Sequence, residues 1–188
     1  IYTFGGKRCN KFSDKLLILT YSKDYCSYRD FKLSDKCPMV RTNHSFTKCG
    51  DKIYLFGGLS ENQTLLNDLW ELDIHINGPS NPIWEYKHCR NYPSPRYSHN
   101  AFTRNGCLFI AGGFNEKGFQ LNDIWKFDGE NWSLYGCFDE SEYAYGSNFG
   151  LASFSKTFNL LKEKPPIYAF SSKYEILLNR RDEYDQKE

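Results

Sequence analysis

The chain has 188 residues, of which 18% are aromatic, and its 24 basic and 23 acidic residues leave a net charge of +1. This length suffices for one ordinary domain with a core. So many aromatic rings exclude a disordered chain and favour strands. A near-neutral charge gives no electrostatic signature of a nucleic-acid or anionic-membrane partner. No apolar run approaches the ~20 residues that span a bilayer. We therefore expect neither nucleic acid nor a membrane as a partner.

The chain opens on an apolar segment that ends in two glycines, I-Y-T-F-G-G at 1–6, and this segment recurs. It returns as I-Y-L-F-G-G at 53–58, as L-F-I-A-G-G at 108–113, and in degenerate form as I-Y-A-F-S-S at 167–172. The first glycine, or its substitute, lies at Gly5, Gly57, Gly112 and Ser171. The intervals of 52, 55 and 59 residues are typical of repeats that each form one blade of a β-propeller, for which the period is about 50.

Two further motifs keep the same phase. N-D-L-W at 67–70 and N-D-I-W at 122–125 each place a tryptophan 13 residues after the first glycine, and S-D-K-L at 13–16 is a weak first copy. R-x-x-H motifs at 41–44 and 96–99 each place a histidine 13 residues before it. A second tryptophan follows in each full repeat, at Trp84 and Trp132. Because separate motifs share one phase, the repeat is genuine.

Each repeat is predicted to form four short strands and an all-β fold. In the third repeat we expect strands near 98–103, 107–111, 123–128 and 131–135. Asn105-Gly106 predicts a tight hairpin turn, and the glycine pair ends the second strand where a side chain would clash. Residues 128–131 predict the next turn. Helical periodicity is confined to 154–163.

The glycine pair after an apolar strand and the phased tryptophans resemble the kelch-repeat family. The resemblance implies four-stranded antiparallel propeller blades over 1–178: a partial blade at 1–39, blades at 40–88 and 89–137, and a degenerate partial blade at 138–178. An insertion at 75–83 departs from the pattern. The fourth copy has lost both its glycines and its R-x-x-H motif. The tail, 179–188, is charged and expected to be disordered.

The chain begins on a second strand, and the repeats amount to about three and a half blades, whereas closed propellers have ~4–8. We therefore expect a partial propeller, whose remaining blades come from a larger protein or from another chain.

Two arginines are the first candidate binding residues. Arg41 and Arg96 precede the innermost strands, with Tyr97 beside the second. The resemblance implies that such arginines lie at the mouth of a central channel and contact acidic peptides, which their guanidinium groups can hold bidentately. The alternative is that each arginine pairs locally with a carboxylate or carbonyl of the next blade.

The loops after the glycine pairs, 59–66 and 114–121, are the second candidate, since loops on a rigid scaffold often carry function. The expected apolar anchors are Leu59, Phe114 and Phe119. The expected polar surround is Glu61, Asn62, Asn115 and Lys117. The alternative is that Phe119 and Leu65 pack under the neighbouring blade.

Other phased residues are predicted to be structural. His44 and His99 face separate blade interfaces, so we expect buried imidazoles bonded to neighbouring backbone rather than metal ligands. Asp68 and Asp123 lie one blade apart, so we expect each to accept hydrogen bonds in an Asx turn rather than to form an acid–base pair. The tryptophans are expected to pack between blades.

The sequence favours a protein-interaction scaffold without catalytic residues, cofactor or metal. Its expected partner is a protein or peptide, which the arginines suggest is acidic. The alternative is a fragment of a kelch-fold metal enzyme, resembling the copper oxidases or the iron-dependent specifier proteins, but no Tyr, His and Cys or Glu, Asp and His set occurs in phase. Seven cysteines at irregular spacings favour free thiols and the cytoplasm. Three N-glycosylation sequons keep a secreted location as the alternative.

Overall fold

The computed structural model describes residues 1–9, 11–23, 25–31, 36–73 and 82–137. All of them belong to one compact unit, Ile1–Cys137. This part of the chain contains fourteen strands, and no helix in it is long and apolar enough to cross a membrane. The predicted helix at 154–163, the degenerate repeat at 138–178, the tail and most of the insertion at 75–83 lie outside the described residues.

The first blade contains a three-stranded main sheet and a separate two-stranded hairpin. Its strands are β1 (Tyr2–Phe4), β2 (Lys7–Arg8), β3 (Lys11–Phe12), β4 (Leu16–Tyr21) and β5 (Cys26–Phe31). The main sheet has the order β1-β4-β5, and β2 and β3 form a separate two-stranded hairpin between β1 and β4. All of these pairings are antiparallel.

The second blade contains a long central pair of strands. Its strands are β6 (Arg41–Thr42), β7 (Ser45–Cys49), β8 (Lys52–Ser60), β9 (Leu65–Asp73) and β10 (Ile83–Tyr86). Successive strands pair antiparallel, and β6 and β7 share one edge of β8. The ladder between β8 and β9 is interrupted between Phe56 and Gly58, where the glycine pair takes up positive φ angles that other residues rarely adopt.

The third blade matches the strands predicted for it to within two residues. Its strands are β11 (Asn100–Arg104), β12 (Cys107–Ala111), β13 (Asp123–Phe127) and β14 (Trp132–Cys137), in that spatial order. The predicted hairpin turn is confirmed, because Asn105 and Gly106 both have positive φ angles and Arg104 pairs with Cys107. The turn predicted at 128–131 is also present, with Asp128 Oδ1 accepting from the Asn131 amide at 2.9 Å.

The cores lie between blades, because alternate residues of each strand face opposite sides of its sheet. Between the first and second blades, Phe4 packs edge-on against Trp84, with ring centroids 5.1 Å apart. Between the second and third, Phe56 packs against Trp132 at 5.2 Å. Trp84 and Trp132 are only 4% and 2% exposed, which confirms that they pack between blades. Burying such a side chain stabilises a fold by about 2–3 kcal/mol.

The glycine pairs join neighbouring blades through the backbone. The amide of Gly6 donates to the carbonyl of Arg41, and the amide of Gly58 donates to the carbonyl of Arg96, each at 2.9 Å. A β-carbon on Gly57 would lie 2.9 Å from the Arg96 carbonyl oxygen. Glycine is therefore needed here both for its φ angle and for the close approach of the next blade.

Candidate functional site

Each of the two arginines that recur in the repeat is buried in a bidentate ion pair within its own blade. Arg41 donates from Nη1 and Nη2 to the two carboxylate oxygens of Asp68 at 2.6 and 2.7 Å. Arg96 binds Asp123 in the same way at 2.5 and 2.8 Å. Both arginine side chains are 0% exposed. The arrangement is the strong, planar kind of pair that guanidinium groups form with carboxylates.

Backbone carbonyls accept further hydrogen bonds from these guanidinium groups. Nη1 of Arg41 also donates to the carbonyl of Gly57, and its Nε donates to that of Met39, both at 3.0 Å. Arg96 repeats this with Gly112 at 3.0 Å and Ser94 at 3.1 Å. The hypothesis that Arg41 and Arg96 contact an acidic partner needs exposed guanidinium groups, and their burial contradicts it. Local pairing is the correct alternative, although the carboxylate belongs to the same blade and not to the next.

The aspartates of these pairs also bind the phased tryptophans. Trp70 donates its indole N–H to Asp68 Oδ2, and Trp125 donates to Asp123 Oδ2, each at 2.7 Å. Burial raises the pKa of Asp123, but the hydrogen bond and the charge of Arg96 outweigh it, so the pKa lies below its ordinary value. The predicted Asx turns are therefore wrong. These carboxylates lie on strands or at their start, and they bind side chains.

Both phased histidines bond to the neighbouring blade, but only His44 bonds to backbone as predicted, and His44 is half-buried. His99 is buried and its Nε2 lies 2.9 Å from Ser45 Oγ on the neighbouring blade. His44 is hydrogen-bonded to the backbone of Phe4, also one blade away. Burial and the nearby arginines lower the pKa of His44 to about 4 and that of His99 to about 3, so both imidazoles are neutral at pH 7.

The first blade has no carboxylate at the position that Asp68 and Asp123 occupy in the other two blades. Strand pairing aligns Leu16, opposite Phe4, with Leu69, opposite Phe56. The residue before it, Lys15, therefore takes the position of Asp68, and S-D-K-L at 13–16 is displaced by one position from the motif it resembles. Lys15 forms an ion pair with Asp30 on β5.

Half of the loop predicted at 59–66 is strand, and residues 61–64 form a short turn at its tip. Leu59 lies in β8 and is half-buried, whereas Glu61 and Asn62 are exposed in the turn. Ser60 fixes this turn by donating its amide to the carbonyl of Thr64 at 3.0 Å and by accepting from the Thr64 amide at 3.1 Å. This turn therefore presents polar side chains, whereas Leu59 lies in the strand before it.

The loop at 114–121 presents an apolar side chain on a fixed backbone. Asn115 Oδ1 accepts from the amides of Lys117 and Phe119 at 3.0 and 2.9 Å. Gly118, with a φ of +75°, closes the turn by donating to the carbonyl of Asn115 at 3.0 Å. Lys117 is exposed, and Phe119 is 65% exposed. Phe119 is therefore not packed under a neighbouring blade.

Phe114 and Tyr97 support this loop from the inner side. Each donates its amide to the other's carbonyl, at 2.9 and 3.2 Å, and their ring centroids are 5.5 Å apart. Both are partly buried. The structure thus brings together Phe119, Asn115, Lys117, Phe114 and Tyr97 on the third blade, with Phe114 and Tyr97 positioning the loop.

Among the described residues, no group of three or more His, Cys, Asp or Glu side chains is arranged to hold a metal ion. All seven cysteines are described, and all are free thiols.

The blades repeat one geometry: glycine pairs lie at or near the end of a strand, and the second and third blades each hold a bidentate arginine–aspartate pair inside the blade. Residues 1–144 match the family described as the KLHDC2/KLHL20/DRC7 Kelch-repeats domain. The chain belongs to the kelch-repeat family. The predicted resemblance and all-β fold class are thereby confirmed. The arginine–aspartate pair is a feature of the second and third kelch blades.

Several relatives align with more than half of this chain, but the alignment covers only a small part of each relative. Host cell factor of Drosophila melanogaster is 35% identical over 156 residues, 71% of this chain and 10% of that protein. Kelch-like protein 40 of Xenopus tropicalis is 30% identical over 161 residues, 79% of this chain and 24% of that protein. An F-box/kelch-repeat protein of Arabidopsis thaliana is 29% identical over 111 residues, 56% of this chain and 23% of that protein. The chain thus spans about a quarter or less of these relatives.

Proposed function

We propose that this kelch region is a protein-interaction scaffold without catalytic activity, which binds a partner protein through the loops after its glycine pairs. The observation that carries the proposal is Phe119, a large apolar side chain that is 65% exposed at the tip of a hydrogen-bonded loop. Aromatic side chains are enriched at protein interfaces, where a few anchors carry most of the binding energy. Membership of the kelch-repeat family supports an interaction role in general.

The polar residues of the two corresponding loops form the rest of the proposed site. On the third blade they are Asn115 and Lys117, and on the second blade Glu61 and Asn62. A polar surround that excludes water from a central apolar contact is typical of protein interfaces. We also propose a cytoplasmic location, because seven free thiols suit a reducing compartment.

The test compares two serine substitutions of equally exposed apolar residues. Phe119→Ser alters the proposed site, and Leu134→Ser, at a residue 62% exposed on β14, is the matched control. A partner captured by the unaltered chain from native extract is purified and its affinity for each variant is measured by calorimetry. Loss of binding only in Phe119→Ser supports the proposal. Equal binding by both variants refutes the loop as the site.

A further inference from the structure

Met39 is an exposed apolar residue on the segment that leads into the second blade. It is the only methionine of the chain, and it is 57% exposed. Exposed apolar side chains occur singly on most protein surfaces, so exposure alone does not mark a contact. Met39 has two further properties, which are a fixed backbone and a position beside one of the proposed binding loops.

The backbone of Met39 is held by the buried arginine of the second blade. Arg41 Nε donates to the carbonyl of Met39 at 3.0 Å, while its Nη atoms hold Asp68. Pro38, directly before Met39, is buried. Because the chain is fixed on both sides of Met39, ordering this segment at an interface costs little conformational entropy.

Strand pairing places Met39 beside the turn at 61–64. β6 runs antiparallel to β8, with Arg41 opposite Ser60, the last residue before that turn. Met39 lies two residues before Arg41, so their α-carbons are at most about 7 Å apart. All four residues of the turn are polar and exposed. The second blade therefore presents an apolar side chain at the same end of its sheet as its polar turn.

The third blade has the same arrangement with the residue types exchanged. Arg96 Nε donates to the carbonyl of Ser94 at 3.1 Å, and Ser94 is exposed after the buried Pro93. Here the segment before the arginine carries a polar side chain, and the loop after the glycine pair carries the apolar Phe119. Each blade thus combines an exposed apolar residue on one of these two segments with an exposed polar residue on the other.

We propose that Met39 is the apolar contact of the second blade in the interaction surface, as Phe119 is that of the third, and that Arg41 is a positioning residue which holds Met39 without touching the partner. This inference rests on the function proposed above. It implies a partner protein that presents two apolar side chains, one to each blade. Methionine suits such a contact because its unbranched, polarizable side chain adapts to irregular apolar surfaces.

The first test compares substitutions at Met39 with a matched control. The probe is the protein that the unaltered chain captures from native extract, after purification, and calorimetry measures its affinity. Met39→Gln, which replaces the thioether by a polar amide, should weaken binding at least about tenfold. Met39→Leu keeps an apolar side chain of similar size and should restore most of the affinity. Ile83→Gln, at a residue 63% exposed on β10, should leave the affinity unchanged.

The second test separates the positioning role of Arg41 from its contribution to stability. Isotopic labelling of the methionine methyl group gives a single signal in nuclear magnetic resonance spectra, because Met39 is the only methionine. The purified partner should shift or broaden this signal. In the free chain Arg41→Lys should also shift it, because the bond to the Met39 carbonyl is lost. Arg96→Lys, the same change at an equally buried arginine, should leave it in place.

Three outcomes would overturn the proposal or one of its parts. Equal affinities of Met39→Gln and Ile83→Gln would exclude Met39 as a contact. A methyl signal that a saturating amount of partner leaves unchanged would exclude it independently, and the proposed function would still stand if Phe119→Ser abolished binding. A methyl signal that is the same in Arg41→Lys as in the unaltered chain would exclude Arg41 as the positioning residue. Weakened binding in Met39→Gln together with normal binding in Phe119→Ser would instead support Met39 and refute the third-blade loop.

Discussion

The guanidinium group of Arg96 holds both carboxylate oxygens of Asp123, a residue 27 positions further along the chain, and Arg41 holds Asp68 at the same separation. Each pair ties the segment before the innermost strand to the third strand of the same blade. The arginine is wholly buried, whereas the aspartate side chains are 18% and 24% exposed. The charge of each buried arginine is thus balanced only while the aspartate on the third strand stays in contact with it.

Removing the carboxylate should strongly destabilise the fold. Asp123→Asn leaves the buried guanidinium of Arg96 with no counter-charge, and we expect the free energy of unfolding to fall by about 3 kcal/mol. Urea denaturation followed by tryptophan fluorescence measures this. Glu61→Gln, a similar change at an exposed residue, should alter stability by less than about 0.5 kcal/mol. Equal stability of both variants would show that the pair contributes little.

Stability should fall as the pH is lowered from 7 to 5. The pKa of His99 is held at about 3 by burial and by Arg96, whereas an unfolded histidine has its ordinary pKa of 6.5. The unfolded state thus binds the proton first, so this contribution is fully present above pH 6.5 and is lost as the pH falls towards 3. At pH 5 the loss from His99 alone is about 2 kcal/mol.

A glutamine variant isolates this effect. His99→Gln can still bind Ser45 but cannot titrate, so its unfolding free energy should change less between pH 7 and pH 5. His44, whose pKa is lowered to about 4, should account for much of the remaining slope. Urea titrations at several pH values measure the slopes, and identical slopes would exclude His99 as the titrating group. Asp123, with its lowered pKa, adds a loss of the same sign only below about pH 4.

Two glycines with the same backbone angle should respond differently to alanine. Gly6 and Gly113 both have a φ of +91°, but only at Gly113 would the added carbon lie 2.8 Å from a carbonyl oxygen, that of Tyr97. Backbone strain of about 1–2 kcal/mol is common to both, whereas the clash adds about 1–3 kcal/mol at Gly113 alone. Thermal unfolding of the two variants measures the difference. Equal losses would mean that the close approach is relaxed easily.

Phe119→Ser should leave the stability of the chain unchanged while it removes partner binding. The ring is 65% exposed, and surface substitutions generally change stability by less than about 0.5 kcal/mol. Interface anchors of this kind typically contribute 2 kcal/mol or more to binding, so we expect affinity to fall at least about thirtyfold. A fall in melting temperature together with affinity would indicate that Phe119 is a packing residue.

The repeat made most of the fold predictable from the sequence. The strands of the third blade and the turn at Asn105-Gly106 follow from local patterns, since period-two alternation and positive-φ residues have short-range causes. The burial of Trp84 and Trp132 followed from their phase. The position of Lys15 did not, because the loop before it is shorter than in the other blades, and only strand pairing shows which residue faces which.

The candidate site was harder to predict, because exposure depends on tertiary pairing. Arg41 and Arg96 have the residue type and the phase of binding residues, and nothing local shows that each meets an aspartate on the third strand. Their constant separation of 27 residues from Asp68 and Asp123 was the available signal. The exposure of Phe119 likewise depends on the turn held by Asn115.

The bonds from Gly6 to Arg41 and from Gly58 to Arg96 give the second blade two unlike sides, one that offers a glycine amide and one that offers an arginine carbonyl. A head-to-tail junction of this kind is the same wherever it occurs in the array. Duplication of one repeat therefore creates a blade that already fits both its neighbours. Blade number can then change during evolution without a new interface.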